Sequence, residues 1–417
     1  MKIFWMGNAY PEALEELFLE IKNGGQEHFS YKELKARVDA SYVNYFATGW
    51  CKALENIGYE TENVVINAEP LQYLWLEEYG AHFDDFSLDE ILFLQIKEYG
   101  PDILFVDDGC SIEFLREVKR EVPSICLVVG WSGSAVAKDP KKKNVWRQLD
   151  LVLCCAPEGV AHLRKEGAHV FHMNHAFLSD SLPLLKKNID MHSDITFIGS
   201  VVRGKEYHLI RERLLLALSD VLPLEIYSPS AVFGTKDLLR SSLAIVLYDA
   251  VHSSPKWMQK RVFSELPILR KVSAWTERPM LPVNYKLYKH MRPPVFGIEM
   301  LNVLYQSDIV LNIHADSSPE FASNMRLFEG TGVGSCLLTD YRKNMKDLFI
   351  PDQEVVTYDS LDDCIEKAVW LRDHPKERKR IAEAGKKKCL EKHTYQNRAL
   401  EFDDIVKTCL HRKISAL

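Results

Sequence analysis

Short apolar runs of strand length alternate with stretches in which apolar residues recur every three to four positions through the first 175 residues. That alternation is the signature of an α/β domain built on a parallel sheet, whose strands are buried on both faces. It predicts strands over 2–7, 63–67, 102–106, 124–129, 150–154 and 169–172, with helices between them. Pro11 suits a first helical turn, where the missing N–H has no intrahelical partner to lose. Ser30 with Glu33, and Ser87 with Glu90, have capping-box spacing ahead of apolar periodic segments.

The periodicity lapses between 176 and 193, and a second alternation follows. Strands are expected at 194–198, 224–227, 308–312 and 335–339, and helices from 206 and over 297–306. A long stretch with helical periods at 236–251 and 256–264 interrupts this domain, and helices at 361–373, 375–392 and 395–409 close the chain. The expected organisation is a first domain over 1–175, a linker over 176–193 and a second domain over 194–395 carrying an insertion at 231–295. The terminal segment 396–417 would return to the first domain.

Composition narrows the function. Of 417 residues, 47% are hydrophobic and 27% charged, which places the chain among globular proteins. The net charge of −7 provides no global positive field for nucleic acid. The nine cysteines contain no C-x-x-C pair, so neither a disulfide framework nor a Cys-rich zinc site is indicated. No D-x-D pair stands at a strand end, and no metal or other cofactor is expected. The N-terminal apolar run is too short for a signal peptide, and no apolar stretch is long enough to span a bilayer. A cytoplasmic location follows as the expectation. The segment 372–392, with nine Lys or Arg against four acids, reads first as a solvated helix face and second as a peripheral contact with an anionic membrane.

Ligands of open parallel sheets bind beyond the carboxyl ends of the strands, which directs attention to four loops. Asn8 follows the first strand. Asp107 and Asp108 follow the strand at 102–106 and could supply a general base, or cap the next helix. Trp131 and Ser132, between two glycines, combine an indole and a hydroxyl suited to a sugar face. Gly199, Arg203 and Lys205 lack the spacing of a P-loop or dinucleotide fingerprint but fit a diphosphate near a helix start.

The densest cluster comes later: Asn312-Ile313-His314, then Asn324-Met325-Arg326-Leu327-Phe328-Glu329, glycines at 330, 332 and 334, the strand Leu337-Leu338-Thr339-Asp340, and His393-Thr394-Tyr395 with Arg398. In order and spacing this region, roughly 300–400, resembles the group-one glycosyltransferases of the CgeB-like type. The resemblance implies a GT-B fold: two Rossmann-like parallel-sheet domains facing each other across a cleft, here with a largely helical insertion in the C-terminal domain. It also implies transfer of a sugar from a nucleotide-sugar donor to a glycan, lipid-linked or protein acceptor, without a metal. Asn324, Arg326 and Glu329 would hold the donor, Glu329 by accepting hydrogen bonds from ribose hydroxyls. A helix opening near Ser323 would aim its free N–H groups at the diphosphate. His314 would touch the sugar or diphosphate, or serve as a structural His hydrogen-bonded within its loop. Many retaining members carry a second Glu eight positions before the ribose-binding one; this chain has Phe321 there and Glu320 one residue earlier. Two other readings compete: a nucleotide-sugar epimerase of the same fold, and a degenerate member acting as a binding protein. The first helix of the insertion 231–295, over 236–251, shows more apolar surface than a solvent-facing helix should; packing within the insertion or on the second sheet, a homodimer contact or a wall of the acceptor site would account for it.

Overall fold

The computed structural model describes residues 1–25, 28–82, 86–106, 110–133, 143–187, 192–203, 209–263, 265–314 and 318–415. The first sheet comprises β1 (Lys2–Gly7), β2 (Glu60–Val65), β3 (Ile103–Val106), β4 (Leu127–Ser132), β5 (Leu151–Cys154) and β6 (Val170–His172), in the order β2-β1-β3-β4-β5-β6. The second comprises β7 (Ser193–Ile198), β8 (Leu224–Tyr227), β9 (Met291–Arg292), β10 (Ser307–Asn312), β11 (Cys336–Asp340) and β12 (Val356–Tyr358), in the order β12-β11-β10-β7-β8-β9. All their pairings are parallel. The strand order reverses at β1/β3 in one sheet and at β7/β10 in the other, and those switch points are where the adjoining loops diverge to leave a crevice.

Both predicted capping boxes form, at Ser30–Glu33 and Ser87–Glu90, opening the helices Tyr31–Ser41 and Leu88–Tyr99. Two of the expected strands differ in extent, and β12 was not expected at all. β2 starts at Glu60 because it is an edge strand, and an edge tolerates the polar Glu60-Thr61-Glu62 that a doubly buried strand would not. β4 runs to Ser132 rather than ending at 129, so Gly130, Trp131 and Ser132 pair with Val152, Leu153 and Cys154 and are sheet, not loop. The chain between β8 and β9 carries the helical insertion, with helices Thr235–His252 and Pro267–Ser273 and a π turn at Gln259–Phe263 where a single helix over 256–264 was expected. The two-residue β9, ahead of Pro293 and Pro294, gave no strand signal.

The two sheets share one continuous apolar core. Trp5 on β1 is fully buried, stacked on Phe105 at 3.4 Å between ring centroids. The terminal helix Tyr395–Ser415 lies against the first domain: Phe402 packs 5.8 Å from Trp50, Tyr59 donates to Asp403 at 2.7 Å, and Lys413 reaches Asp150 at 2.6 Å. The chain crosses between domains twice, and the crossings are bonded together. The Phe177 N–H donates to the His393 carbonyl at 2.8 Å and the Tyr395 N–H to the Phe177 carbonyl at 3.2 Å. Gly332 permits this closeness, since a Cβ there would lie 2.2 Å from the Phe177 ring. The nine cysteines are free, and seven are buried as small apolar groups.

Candidate active site

A cleft of about 630 Å³ opens between the carboxyl ends of the two sheets. Its second-domain wall comes from the end of β7 and the residues after it (Phe197–Ser200), from the end of β10 (Asn312 and Ile313), and from Asn324, Met325, Arg326 and Glu329. These converge because β7 and β10 are neighbours at the switch point, although 114 positions separate Ile198 from Asn312 in sequence. A further cavity of about 590 Å³ lies at the opposite ends of β10 and β11, beside Ser307 and Cys336, away from these loops.

Glu329 is the most committed group in the cleft. It is 3% exposed, and its Oε2 stands 2.7 Å from the Arg326 guanidinium, one helical turn earlier. Burial pushes its carboxyl pKa up, and Arg326 counters that in part. Arg326 also directs N–H groups to the Met300 sulfur at 3.4 Å. The helix spans Arg326–Val333, starting three residues later than expected, so Asn324 sits in the preceding loop. There its amide donates to Asn312 Oδ1 at 2.6 Å, while the Asn312 amide donates to the Thr339 hydroxyl at 2.9 Å. Loop, β10 and β11 are thereby locked in one polar chain, which satisfies three buried or half-buried side chains. Of the two roles open to the glycines after Glu329, close approach of the backbone and a sharp helix end, both are seen, with the approach made by the core. Gly330 faces Leu337 and Val310, Gly332 faces Phe177, and Gly334, with φ +97°, ends the helix.

His314 does not line the cleft. It is 1% exposed, its Nδ1 lies 2.7 Å from Asp340 Oδ1, and its backbone N–H donates to the same oxygen at 3.0 Å. Burial works against the Asp340 charge, but His314 and Arg342 outweigh it and hold this carboxyl below its ordinary range. In this arrangement His314 ties the end of β10 to β11 through Asp340, as the structural reading of this residue expects.

Around Gly199 the one described member of the expected basic pair, Arg203, does not line the cleft. The Arg203 guanidinium turns away from the cleft to Glu212 at 2.8 Å and to the carbonyls of Leu281 and Val283. Arg211, inside the helix Leu209–Ser219, lines the cleft instead, donating to the carbonyls of Ser200 at 3.0 Å and Ile313 at 3.1 Å. It spans the β7 and β10 loops, and nothing in the local sequence pattern distinguishes it from Arg213. Gly199 lines the cleft, but its N–H is engaged by the Tyr227 carbonyl at 3.0 Å. Lys205, Asp107 and Asp108 lie outside the described residues.

Half of the first-domain wall is ring-bearing, Tyr10, Tyr45, Phe46, Trp131 and His175; Asn8, Ala9, Pro11, Val43 and Asn44 complete it. Trp131 packs edge-on to Phe46 at 4.9 Å and lies 5.1 Å from the His175 ring. Ser132 points elsewhere; it is fully buried, as the alternation of strand side chains requires once β4 includes it. His175 shows a ring edge to the cleft while its Nδ1 is enclosed without a partner. Burial, reinforced by Arg398, pushes its pKa down to about 3, so the ring is neutral near pH 7.

Three contacts tie the walls. Tyr10 meets Phe296 at 5.1 Å, and Gly297, with φ +53°, comes so close to the Ser41 and Tyr42 carbonyls that a Cβ would stand 2.7 Å from the first. Glu158, from the first domain, accepts hydrogen bonds from the Ser318 hydroxyl and from the N–H groups of Glu320 and Phe321 at 3.1 Å. Glu320 itself points outward to Lys343 at 2.6 Å.

Comparisons with known proteins agree with this architecture. Residues 249–404 match the family described as glycosyl transferase-like, a span that includes Glu329 and the His393–Arg398 crossing. The fold is that of sucrose-phosphate synthase from Thermosynechococcus elongatus, with a TM-score of 0.54 at 10% identity over 99% of this chain and 100% of that one. A glycosyltransferase from Rickettsia africae aligns with a TM-score of 0.50 at 12% identity over 98% of each chain. Anabaena Alr3699/HepE in complex with UDP and glucose gives 0.50 at 11% identity over 98% of this chain and 100% of that one. The protein thus has the two-domain GT-B fold. No curated protein matches the sequence.

Proposed function

We propose that the protein is a group-one glycosyltransferase, moving a sugar from a nucleoside-diphosphate sugar to an acceptor hydroxyl in the interdomain cleft. The observation that carries this reading is the buried Arg326–Glu329 pair at the switch point of the second sheet, within the segment that matches a glycosyl transferase-like family. A buried carboxylate held through one oxygen keeps its other acceptor sites for two ribose hydroxyls. Arg211 and Arg326 are the cleft cations placed to offset the charge of a departing diphosphate, as fixed charge in a partly desolvated site does. The complex of HepE with UDP and glucose is consistent with such a ligand.

On this reading the chain needs no divalent ion. The aromatic wall takes the acceptor, which Trp131, Phe46 and Tyr10 orient by stacking. Asp107 and Asp108 follow β3 directly in sequence and are the candidates for the base. If one of them serves, replacement by Asn lowers turnover by roughly 10²–10⁴-fold with donor binding retained.

The deciding experiment incubates the protein with a mixed set of nucleotide-sugars, with and without EDTA, and follows slow donor hydrolysis and nucleotide binding by calorimetry. Binding of one nucleoside diphosphate with EDTA-insensitive hydrolysis of its sugar donor is expected. Epimerised donor without release of free sugar, or no nucleotide binding at all, overturns the reading.

A further inference from the structure

Two segments of the second domain are strongly basic, and they are built differently. In the helix Pro375–Lys392 four of the eight cations have acidic partners: Lys379 with Glu383, Arg380 with Glu377, Lys387 with Glu391 and Arg378 with Asp308. Its apolar residues Ile381, Ala382 and Cys389 are buried. This is a solvated helix face, and nothing apolar on it would enter a bilayer.

The insertion has the opposite character. Residues 231–295 hold eleven Lys or Arg against four Asp or Glu, a net charge of +7, while the rest of the chain carries −14. Lys236, Arg240, Lys256, Arg261, Arg270 and Lys271 are all exposed, and none forms an ion pair among the described residues. Large apolar side chains stand beside them in water. On the helix Thr235–His252, Leu239 is 71% exposed, Leu243 59% and Val246 62%. Positions i, i+4 and i+7 make one continuous stripe, with Lys236 and Arg240 along its flank. Trp257 at 62% and Ile268 at 68% extend the exposed apolar surface into the next segments.

We propose that this insertion docks the protein onto an anionic lipid bilayer, the Leu239–Leu243–Val246 stripe entering the headgroup–acyl boundary while Lys236 and Arg240 meet lipid phosphates. An amphipathic helix with apolar and aromatic side chains on one face and cations beside them binds an interface in this way. Charge decides between this occupant and a second copy. A two-fold dimer would set the same unpaired cations against themselves, which is repulsive, whereas an anionic surface complements them. The acidic remainder of the chain would be held off the same surface, so the docked orientation is defined. The proposal concerns location and does not depend on the transferase reading.

The test is co-sedimentation of the full chain with vesicles of phosphatidylcholine alone and with about one-third phosphatidylglycerol, at about 50 mM and about 500 mM salt. At least tenfold stronger binding to the anionic vesicles, weakened by salt, is expected. Leu239→Glu with Leu243→Glu should abolish it, and Lys236→Glu with Arg240→Glu should reduce it about tenfold. All four positions are exposed, so circular dichroism should be unchanged. Absence of wild-type binding overturns the proposal, as does binding that survives the double Glu variant. A wild-type oligomer that the same variant dissociates, with no vesicle binding, assigns the stripe to a second copy and also overturns it.

Discussion

The two walls of the cleft are made by different means. The second-domain wall is a set of polar side chains bonded to one another: Asn324 to Asn312, Asn312 to Thr339, Arg326 to Glu329, Arg211 to two strand-end carbonyls. The first-domain wall presents rings that touch, Trp131 against Phe46 and His175, with the Tyr45 hydroxyl accepting from the Leu178 N–H at 2.9 Å. A directional network admits one arrangement, because each missing partner leaves a buried polar group unsatisfied. Ring contacts are less directional and tolerate changes of shape. One wall is therefore suited to holding the same ligand part in every turnover, and the other to accepting a variable surface.

The sharpest way to break that contrast is to remove one half of the buried pair. Arg326→Ala leaves Glu329 uncompensated, and removing one partner of a buried ion pair typically costs about 3–5 kcal/mol. Urea unfolding should show that loss, and nucleoside-diphosphate binding should vanish. Glu329→Ala should abolish binding as well. The double replacement Arg326→Met, Glu329→Leu should recover much of the stability and none of the binding. Recovered binding would mean that the pair is scaffolding.

Between the walls lies the His393 crossing, and pH tests it. His393 is 5% exposed, and burial, helped by Arg398 and two lysines, pushes its pKa down to about 4. The unfolded chain takes up a proton there near pH 6.5 and the folded chain does not. Stability is therefore complete above pH 6.5 and lost as the pH falls toward 4, by about 1.4 kcal/mol per pH unit, or about 3 kcal/mol in all. Burial raises the Glu329 pKa, which has the opposite sign, but that contribution is common to both proteins when wild type is compared with His393→Gln. The difference in stability between them should shrink steadily from pH 7 to pH 4; a difference independent of pH would show that His393 does not stay neutral.

Arg211 and Arg203 sharpen the comparison within one wall. Arg211→Ala should weaken nucleoside-diphosphate binding about 10–100-fold, the equivalent of a charge-assisted hydrogen bond of about 1.5–3 kcal/mol, and leave nucleoside binding nearly intact. Arg203→Ala should change neither affinity. Equal effects from the two, measured by calorimetry, would place the diphosphate on the outer side of the loop.

How much of this was legible in the sequence follows the same division. The capping boxes, most strands and the contiguous run from Asn324 to Glu329 were readable, because their signals lie within a few residues of one another. Arg211 was missed because its role depends on β10, which adjoins β7 in space but not in sequence. Ser132 was misread because Gly130 and Ser132 look like loop chemistry, whereas pairing with β5 fixes them as strand and turns Ser132 inward. The sequence left His314 open between substrate contact and a bond within the fold because its partner, Asp340, lies 26 positions away on the next strand. The glycines at 330 and 332 signalled close approach correctly, but what approaches is the core.

The smallest effect expected is at Trp131, and it bears most directly on the aromatic wall. Phe at this position keeps a ring against Phe46 and His175 and loses one edge of the indole, and aromatic contacts of this kind are worth about 0.5–1.5 kcal/mol. Trp131→Phe should therefore alter transfer to the acceptor by less than about tenfold, with donor hydrolysis and nucleotide affinity unchanged. Trp131→Ala should cost more in transfer, and some stability, because the ring is 6% exposed and its loss opens a cavity beside Phe46. The informative reading is the ratio of transfer to hydrolysis, since a general loss of folding lowers both together. If Trp131→Phe lowers donor hydrolysis as much as transfer, the ring serves the donor, and the division of labour between the two walls fails.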